Sequence, residues 1–325
     1  MTRTQVTPRT RARRRAVRAR ERRDRLVGIS AQVVALTVAL AVLAGLLSGG
    51  QWPWVLATYL RWPQTLLAVV AAVVLLRQQW WRSGIVAAAV AIGLVTSVVA
   101  PLQALDSAGA PRDRTLRIAV HNTGYGAGDV EALAQAIREA DADLVVLLES
   151  EDIVGALDAE LEDLSLLPAS GGRGRDTAPP MVLARRPWTT AVVPLGEPRP
   201  ATIVHAQVGG RALDVVTVHP LPPLTAAWAA SHDRSISALV DGVLPRDVPH
   251  VVACDCNTTP WSPSMQRLLD AGLRGPTVTP TFGIPVLGIP LDHVLLGDGV
   301  TAVSREQLPF AGSDHRMIVT EVTLR

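Results

Sequence analysis

The sequence predicts an α/β sandwich carried behind three membrane-spanning helices, on three observations. Long apolar runs fill the first third of the chain, before residue 106. From Thr115 onward, short apolar runs alternate with segments whose apolar residues recur at helical spacing. The composition agrees with both: 48% hydrophobic and 18% charged residues, with a mean hydropathy of +0.26, is too apolar for a wholly soluble chain of 325 residues.

Residues 26–47 carry no charge, and at about 1.5 Å per residue a helix of that length crosses a ~30 Å hydrocarbon core. Residues 84–105 form a second uncharged run. Residues 56–76 are a weaker third, with Arg61 and Pro63 near their start. Trp52, Trp54 and Trp62 on one side and Trp80 and Trp81 on the other bracket that middle run like interfacial belts. One cleaved signal peptide cannot account for three runs, and buried helices of a soluble domain would be shorter and show a polar face.

The net charge of +2 hides an asymmetry. Residues 1–25 hold eleven Arg against Glu21 and Asp24, whereas from Arg112 onward seventeen Arg face twenty-six acids. A basic arm that runs straight into an apolar stretch reads as an orientation signal rather than a nucleic-acid arm. With Arg77 and Arg82 in the loop between the second and third runs, the tail and that loop are expected in the cytoplasm. Everything after about residue 106 is then expected outside. Residues 106–114 (DSAGAPRDR) read as a linker, and residues 115–325 as the folded domain.

In that domain, residues 116–120, 144–148, 202–208, 213–218, 250–254, 291–296 and 317–324 read as strands. Val130, Leu133, Ala134 and Ile137 recur at helical spacing, ended by Asp141–Asp143; further helices are expected over 153–164, 224–243 and 263–271. Residues 171–180 and 194–200 read as loops. Several β-β connections among the helices favour a sandwich over a doubly wound sheet.

Composition excludes several chemistries. The chain has no Lys, so Schiff-base enzymes and P-loops lack their residue. Its two cysteines, Cys254 and Cys256, are too few for a disulfide framework and, two apart on an extended chain, are expected to sit unpaired in the core. No H-E-x-x-H, H-x-H-x-D-H or G-x-S-x-G occurs, which excludes zinc-protease, metallo-β-lactamase-like and serine-hydrolase sites.

One pattern remains. Apolar strands repeatedly end on Asp, Glu, Asn or His: His121 and Asn122, Glu149, His219, Asp255 and Asn257, Asp292, then Asp314 and His315. A strand end holds a side chain rigidly while the loops beyond it open a cleft. In an extended chain residues two apart share a face, so Asp255 and Asn257 point together, a carboxylate beside an amide that suits water activation. Trp261 and Phe282 adjoin these loops as possible substrate walls, and Arg173 and Arg175 stand in a Gly-rich loop. His205, His232, His250 and His293 read as structural.

The segments HNTG at 121–124, LLES at 147–150, TVHP at 217–220, CDCNTTPWS at 254–262, LDHVLL at 291–296 and GSDHR at 312–316 resemble, in order and spacing, the endonuclease/exonuclease/phosphatase superfamily. That group includes DNase I-like nucleases, apurinic endonucleases, bacterial sphingomyelinases and inositol-polyphosphate phosphatases. The chain looks like a membrane-anchored bacterial branch of it. It departs from the pattern in placing Cys254 and Cys256 where many relatives carry Gly and Phe, and in lacking the Tyr that apurinic endonucleases place between the Glu and the D-x-N motif. The second departure weakens a DNA-repair role.

The resemblance implies a four-layer DNase I-like α/β sandwich and hydrolysis of phosphate esters with Mg²⁺ or Mn²⁺. It implies Glu149 as the main metal ligand with Asn122 and Asp314 nearby. Asp255 would orient or deprotonate water, with Asn257 supporting it. His219 would bind phosphate or act as acid, and His315, oriented by Asp292, would face the developing charge. By their position in the loops, and not by the resemblance, Arg173 and Trp261 are the candidate substrate contacts. The substrate is either nucleic acid, cut as by an endonuclease or exonuclease, or a lipid headgroup or other small phosphoester. The domain's excess of acids lowers the prospect of tight polyanion binding. A membrane-tethered binding module on an inactive hydrolase fold is the non-enzyme alternative, and retention of all these acids, amides and histidines argues against it.

A reporter active only outside the cytoplasm, fused after Arg325, should be active. A silent one, with a cytoplasmic reporter active at the same place, would overturn the orientation.

Overall fold

The computed structural model describes residues 8–47, 49–99, 114–124, 129–168, 179–245, 247–284 and 287–325. Outside them fall the first seven residues, the linker expected over 106–114 except Arg114, the last residues of the apolar run over 84–105, and Arg173 and Arg175 with most of their loop.

The amino-terminal third is helical. Helix α1 spans Pro8–Leu47, α2 spans Arg61–Arg77 after a 3₁₀ turn over Trp54–Leu60, and α3 spans Trp81–Val99. Three helical segments, Arg13–Leu47, Trp54–Arg77 and Trp81–Val99, are long and apolar enough to cross a membrane. Helix α2 lies between the other two and contributes Ala68, Ala71, Ala72 and Leu75 to two seams, one with Ala31 and Ala87 and one with Val38, Ala91 and Leu94. Small residues dominate these seams and let the helix backbones approach closely. Gln32 Nε2 donates to Ser83 Oγ at 2.6 Å, joining α1 and α3.

The second region is two mixed sheets packed face to face. The first has the order β10 (Val300–Phe310), β11 (Arg316–Leu324), β1 (Thr115–Asn122), β2 (Leu144–Leu148), β4 (Met181–Ala184), β3 (Ser165–Leu166). The second runs β5 (Thr189–Val193), β6 (Ala201–Val208), β7 (Arg211–Val218), β8 (His250–Asp255), β9 (Asp292–Leu296). Each contains one parallel pair, β1 with β2 and β7 with β8, and is otherwise antiparallel. Helices α4 (Val130–Ala140) and α5 (Val154–Glu160) cover the outside of the first sheet, and α6 (Ala226–Ala238) and α7 (Pro263–Asp270) the second. The result is the expected four-layer α/β sandwich.

Period-two alternation explains the layers. Leu116, Ile118 and Val120 of β1, Leu144 and Val146 of β2, Val251 and Ala253 of β8 and Val294 of β9 meet between the sheets. Their alternates Ala119, Val145 and Val252 face the helices instead. Local chemistry starts and stops the helices: Asp129, Thr225 and Ser262 cap α4, α6 and α7 by accepting from Ala132, Trp228 and Met265 backbone N–H groups. Asp141, at φ 44°, ends α4.

One expectation is corrected. Cys254 and Cys256 are disulfide-bonded rather than separate. Regular strand geometry would hold residues two apart at about 6.6 Å, but β8 ends at Asp255 and the chain bends, bringing the two Cα atoms to 5.0 Å, within disulfide reach. The bridge spans only one intervening residue and so does not staple the fold. Strand β10 was not among the strands expected, since its alternation is broken by register shifts between Ala302 and Ser304 and between Gln307 and Phe310.

Leu144 is fully buried between the sheets. Leu144→Ala should cost about 2–5 kcal/mol of stability, seen as a lower thermal midpoint of the purified protein, through lost transfer energy plus the residual cavity.

Candidate active site

The parity that builds the inter-sheet core also builds the site. Asn122, His219, Asp255 and Asp292 continue the inward-facing rows of β1, β7, β8 and β9, so where the apolar rows stop, polar groups converge at one end of the sandwich. Glu149 follows β2 with φ 55° and Asn257 follows β8 with φ 45°. Left-handed backbone is uncommon and costly for side chains other than glycine. Here it turns both chain segments sharply at the cleft.

Asp255 is the hub. It is almost wholly buried; Asn122 Nδ2 donates to its Oδ2 at 2.9 Å and the Asn257 backbone N–H to its Oδ1 at 2.9 Å. His219 Nε2 lies 3.5 Å and His315 Nε2 3.9 Å from Oδ2. Burial alone would raise its pKa, but the His219 hydrogen bond and the two imidazoles outweigh it and hold the carboxyl below the usual range. His315 Nδ1 sits 2.9 Å from Asp292 Oδ2, and its ring packs on Phe282 with centroids 4.8 Å apart. Desolvation opposes protonation of His315, yet Asp292 and Asp255 prevail and push its pKa up to about 10. Asp292 itself is pushed upward by burial, and its Oδ1 has no partner among the described residues.

Glu149 faces the cleft 3.4 Å from His219 Nε2, with its pKa raised chiefly by burial. Nε2 of His219 faces both carboxylates, and Arg199 Nη1 lies 3.0 Å from Nδ1 and 3.1 Å from Nε2 of the same ring, holding the imidazole from its other side. Asn122 Oδ1 accepts from Gly124 N–H, and Asn257 Nδ2 donates to the Pro220 carbonyl at 3.0 Å. Ser313 Oγ donates to the Asn122 carbonyl and accepts from the His315 N–H, tying the β11 approach to β1. These groups floor a cavity of about 760 Å³ whose lining includes Asn122, Glu149, Asp255, Asn257, Asp314 and His315.

Of the remaining expected residues, Trp261 is not part of that lining; its Nε1 donates to the Ser97 carbonyl of α3 at 2.8 Å. Phe282 does line the cleft. His293 is bonded to Thr277 and Thr258 inside the fold, His205 pairs with Asp214, and His232 meets the Leu221 carbonyl. Buried His121 has a pKa lowered to about 3 by desolvation, so it stays neutral.

Two contributors escaped the sequence reading. Arg199 lies in the loop over 194–200, where only its position between two prolines set it apart. Tyr59, in the 3₁₀ turn before α2, donates to the Asn257 carbonyl at 2.5 Å; nothing in an apolar run pointed to a cleft so distant in sequence.

The sequence matches the Endonuclease/Exonuclease/phosphatase family over residues 119–315, which takes in the site from Asn122 to His315. The chain belongs to that family. Similar solved structures share its fold. A family member from Beutenbergia cavernae is 21% identical, with a TM-score of 0.50 over 65% of this chain and 72% of its own. The Bacteroides thetaiotaomicron mannosyl-6-phosphatase is 14% identical, with a TM-score of 0.52 over 64% and 100%. The human Nocturnin catalytic domain, solved with a bound sulfate anion, is 13% identical, with a TM-score of 0.53 over 66% and 95%. No curated protein matches the chain. The family's members are phosphoesterases, and so divalent-metal hydrolysis of phosphate esters is the chemistry against which the cleft is read.

Asp292→Asn should remove the main charge that keeps His315 protonated. If His315 acts as a cation, the alkaline limb of the pH–rate profile should move down from near pH 10 by more than one unit, because losing a negative neighbour lowers an imidazole pKa. An unshifted limb would remove His315 from that role.

Proposed function

We propose that this protein is a membrane-anchored, divalent-metal-dependent phosphoesterase that hydrolyses phosphodiester bonds, with residues 1–25 as a cytoplasmic tail, three spans, and an extracytoplasmic catalytic domain over 115–325. The observation that carries the reading is the pairing across one cleft floor of a carboxylate and amide set, Glu149, Asn122 and Asp255, with a cationic imidazole, His315. The Cys254–Cys256 bridge supports placement in an oxidising compartment.

Two donor sets compete for the metal. Asp255, Asp292 and His315 offer atoms within 4.8 Å of one another. His315, however, is hydrogen-bonded to Asp292 and held protonated, and an imidazolium has no lone pair for a metal. The oxygen set fits better: Glu149 faces the cavity with a carboxylate that burial disfavours as an anion, so a cation there supplies missing charge. We assign Mg²⁺ or Mn²⁺ to Glu149, with Asn122 and Asp314 beside it, as oxygen-preferring cations require. When bound, the metal would neutralise phosphate oxygens and stabilise charge gained during attack.

The chain's own groups supply the rest. Asp255, locked by Asn122 and Asn257, orients the attacking water; its low proton affinity suits it to orient rather than to keep the proton. His219, within 3.5 Å of both carboxylates, is placed to carry the proton away or meet phosphate, with Arg199 fixing its ring. His315, oriented by Asp292, sets a positive charge against the pentavalent phosphorus centre. One water adds to phosphorus, one P–O bond breaks, and the leaving oxygen ends as an alcohol.

Purified full-length protein should hydrolyse a chain-free phosphodiester only with Mg²⁺ or Mn²⁺. Chelation or Glu149→Ala should abolish turnover, and Asp255→Asn and His219→Ala should each lower kcat at least ~10²-fold. Full activity in chelator, or near-normal rates in all three variants, would sink the assignment.

A further inference from the structure

Part of the wall of the cleft is not made by the sandwich. Leu56, Tyr59 and Leu60 supply it, from the 3₁₀ turn that leads without a break into α2. That turn and α2 together form one of the three segments apolar enough to cross a membrane, Trp54–Arg77.

The sandwich is bonded to the same end of the helices throughout. Trp52 Nε1 donates to the Leu224 carbonyl at 3.3 Å, and Trp62 Nε1 to the Val278 carbonyl at 2.9 Å. Tyr59 reaches Asn257, Thr259 Oγ1 donates to the Thr58 carbonyl at 3.3 Å, and Trp261 reaches Ser97 near the end of α3. The opposite end of the bundle carries the loop at Gln78–Trp80, which approaches Gly28 of α1. The catalytic floor is therefore fixed at the level where tryptophans mark the bilayer surface.

The rim matches that placement. Leu60 and Leu224, both of which line the cavity, are 49% and 59% exposed; Ile284 and Leu287, on the loop that also carries Phe282, are 62% and 47% exposed. Clustered exposed aliphatics around a phosphate cleft are unfavourable against water and favourable against lipid. The chain contains no Lys, and among the described residues no Arg lines the cavity, so the described lining lacks the row of cations that tracks a nucleic-acid backbone.

We propose that the substrate is the phosphoester headgroup of a lipid of the surrounding bilayer, which rises into the cleft past Leu56 and Leu60 while its chains stay in the membrane. The inference rests on the phosphoesterase reading above and narrows its substrate class; the anchor is then part of the binding site rather than a tether.

Two measurements on the full-length protein in phosphatidylcholine nanodiscs test it. First, Ile284→Cys and Leu224→Cys are labelled with bimane, the native cysteines being bridged to each other. Doxyl-labelled lipid should quench both labels. Quenching by aqueous iodide alone would put the rim in water and overturn the proposal, whatever the enzyme hydrolyses. Second, nanodiscs carrying phosphatidylglycerol and phosphatidic acid are compared with the chain-free glycerophosphoglycerol and glycerol 3-phosphate, and with single- and double-stranded DNA. A lipid form should exceed its chain-free counterpart at least about tenfold in kcat/KM, and Leu60→Glu should erase that advantage mainly through KM, with Leu60→Met restoring it. Equal or better hydrolysis of chain-free esters or DNA, abolished by Glu149→Ala, would keep the phosphoesterase and refute the lipid. Hydrolysis of none of these would remove both.

Discussion

Everything at the cleft depends on keeping Asp255 ionised where water scarcely reaches it. A buried carboxylate is expensive unless donors and positive charge converge on it, and here they arrive from Asn122, the Asn257 backbone, His219 and His315. Each comes from a different strand end. The two sheets must pack in one register for the network to close, so fold and site are one constraint. The same crowding gives neighbouring groups opposite tendencies: burial raises Glu149 and Asp292, while His315 is driven to the charged form by the acids around it.

The network also explains the strained backbone beside it. Glu149 and Asn257 adopt left-handed conformations where β2 and β8 give way to loops. Thr123 Oγ1 donates to the Glu149 carbonyl, and Tyr59 holds the Asn257 carbonyl. Backbone energy spent at these turns is offset by interactions made elsewhere, the usual economy of a functional site. That one of the compensating groups comes from the helical region links the helices to the cleft more closely than a flexible tether would.

Family membership and fold leave the substrate open, because phosphate recognition is shared and discrimination lies in whatever surrounds it. In this chain the surroundings include the turn before α2. The sandwich and the helices meet through tryptophan, tyrosine and threonine donors to backbone carbonyls, bonds that fix relative position without adding charge at an apolar boundary.

Much of this was legible in the residues. Three apolar runs, the alternation of β1, β2, β7 and β8, and the polar residues at their ends follow from periods of 3.6 and 2, which are properties of local backbone geometry. Parity alone showed that Asp255 and Asn257 turn to the cleft and Cys254 and Cys256 to the core. Parity did not show that the two cysteines pair, because the bend after Asp255 is imposed by the site. Nor did it reveal strand β10, whose bulges erase the period, or Arg199, an arginine in a proline-rich loop. Least visible of all was Tyr59 against Asn257: a contact between residues 198 positions apart comes from how the helices and the sandwich pack together, and local periodicity carries no information about that packing. The sequence by itself determined which groups could do chemistry and which faces they occupy. Only the tertiary structure decided what closes the cleft around them.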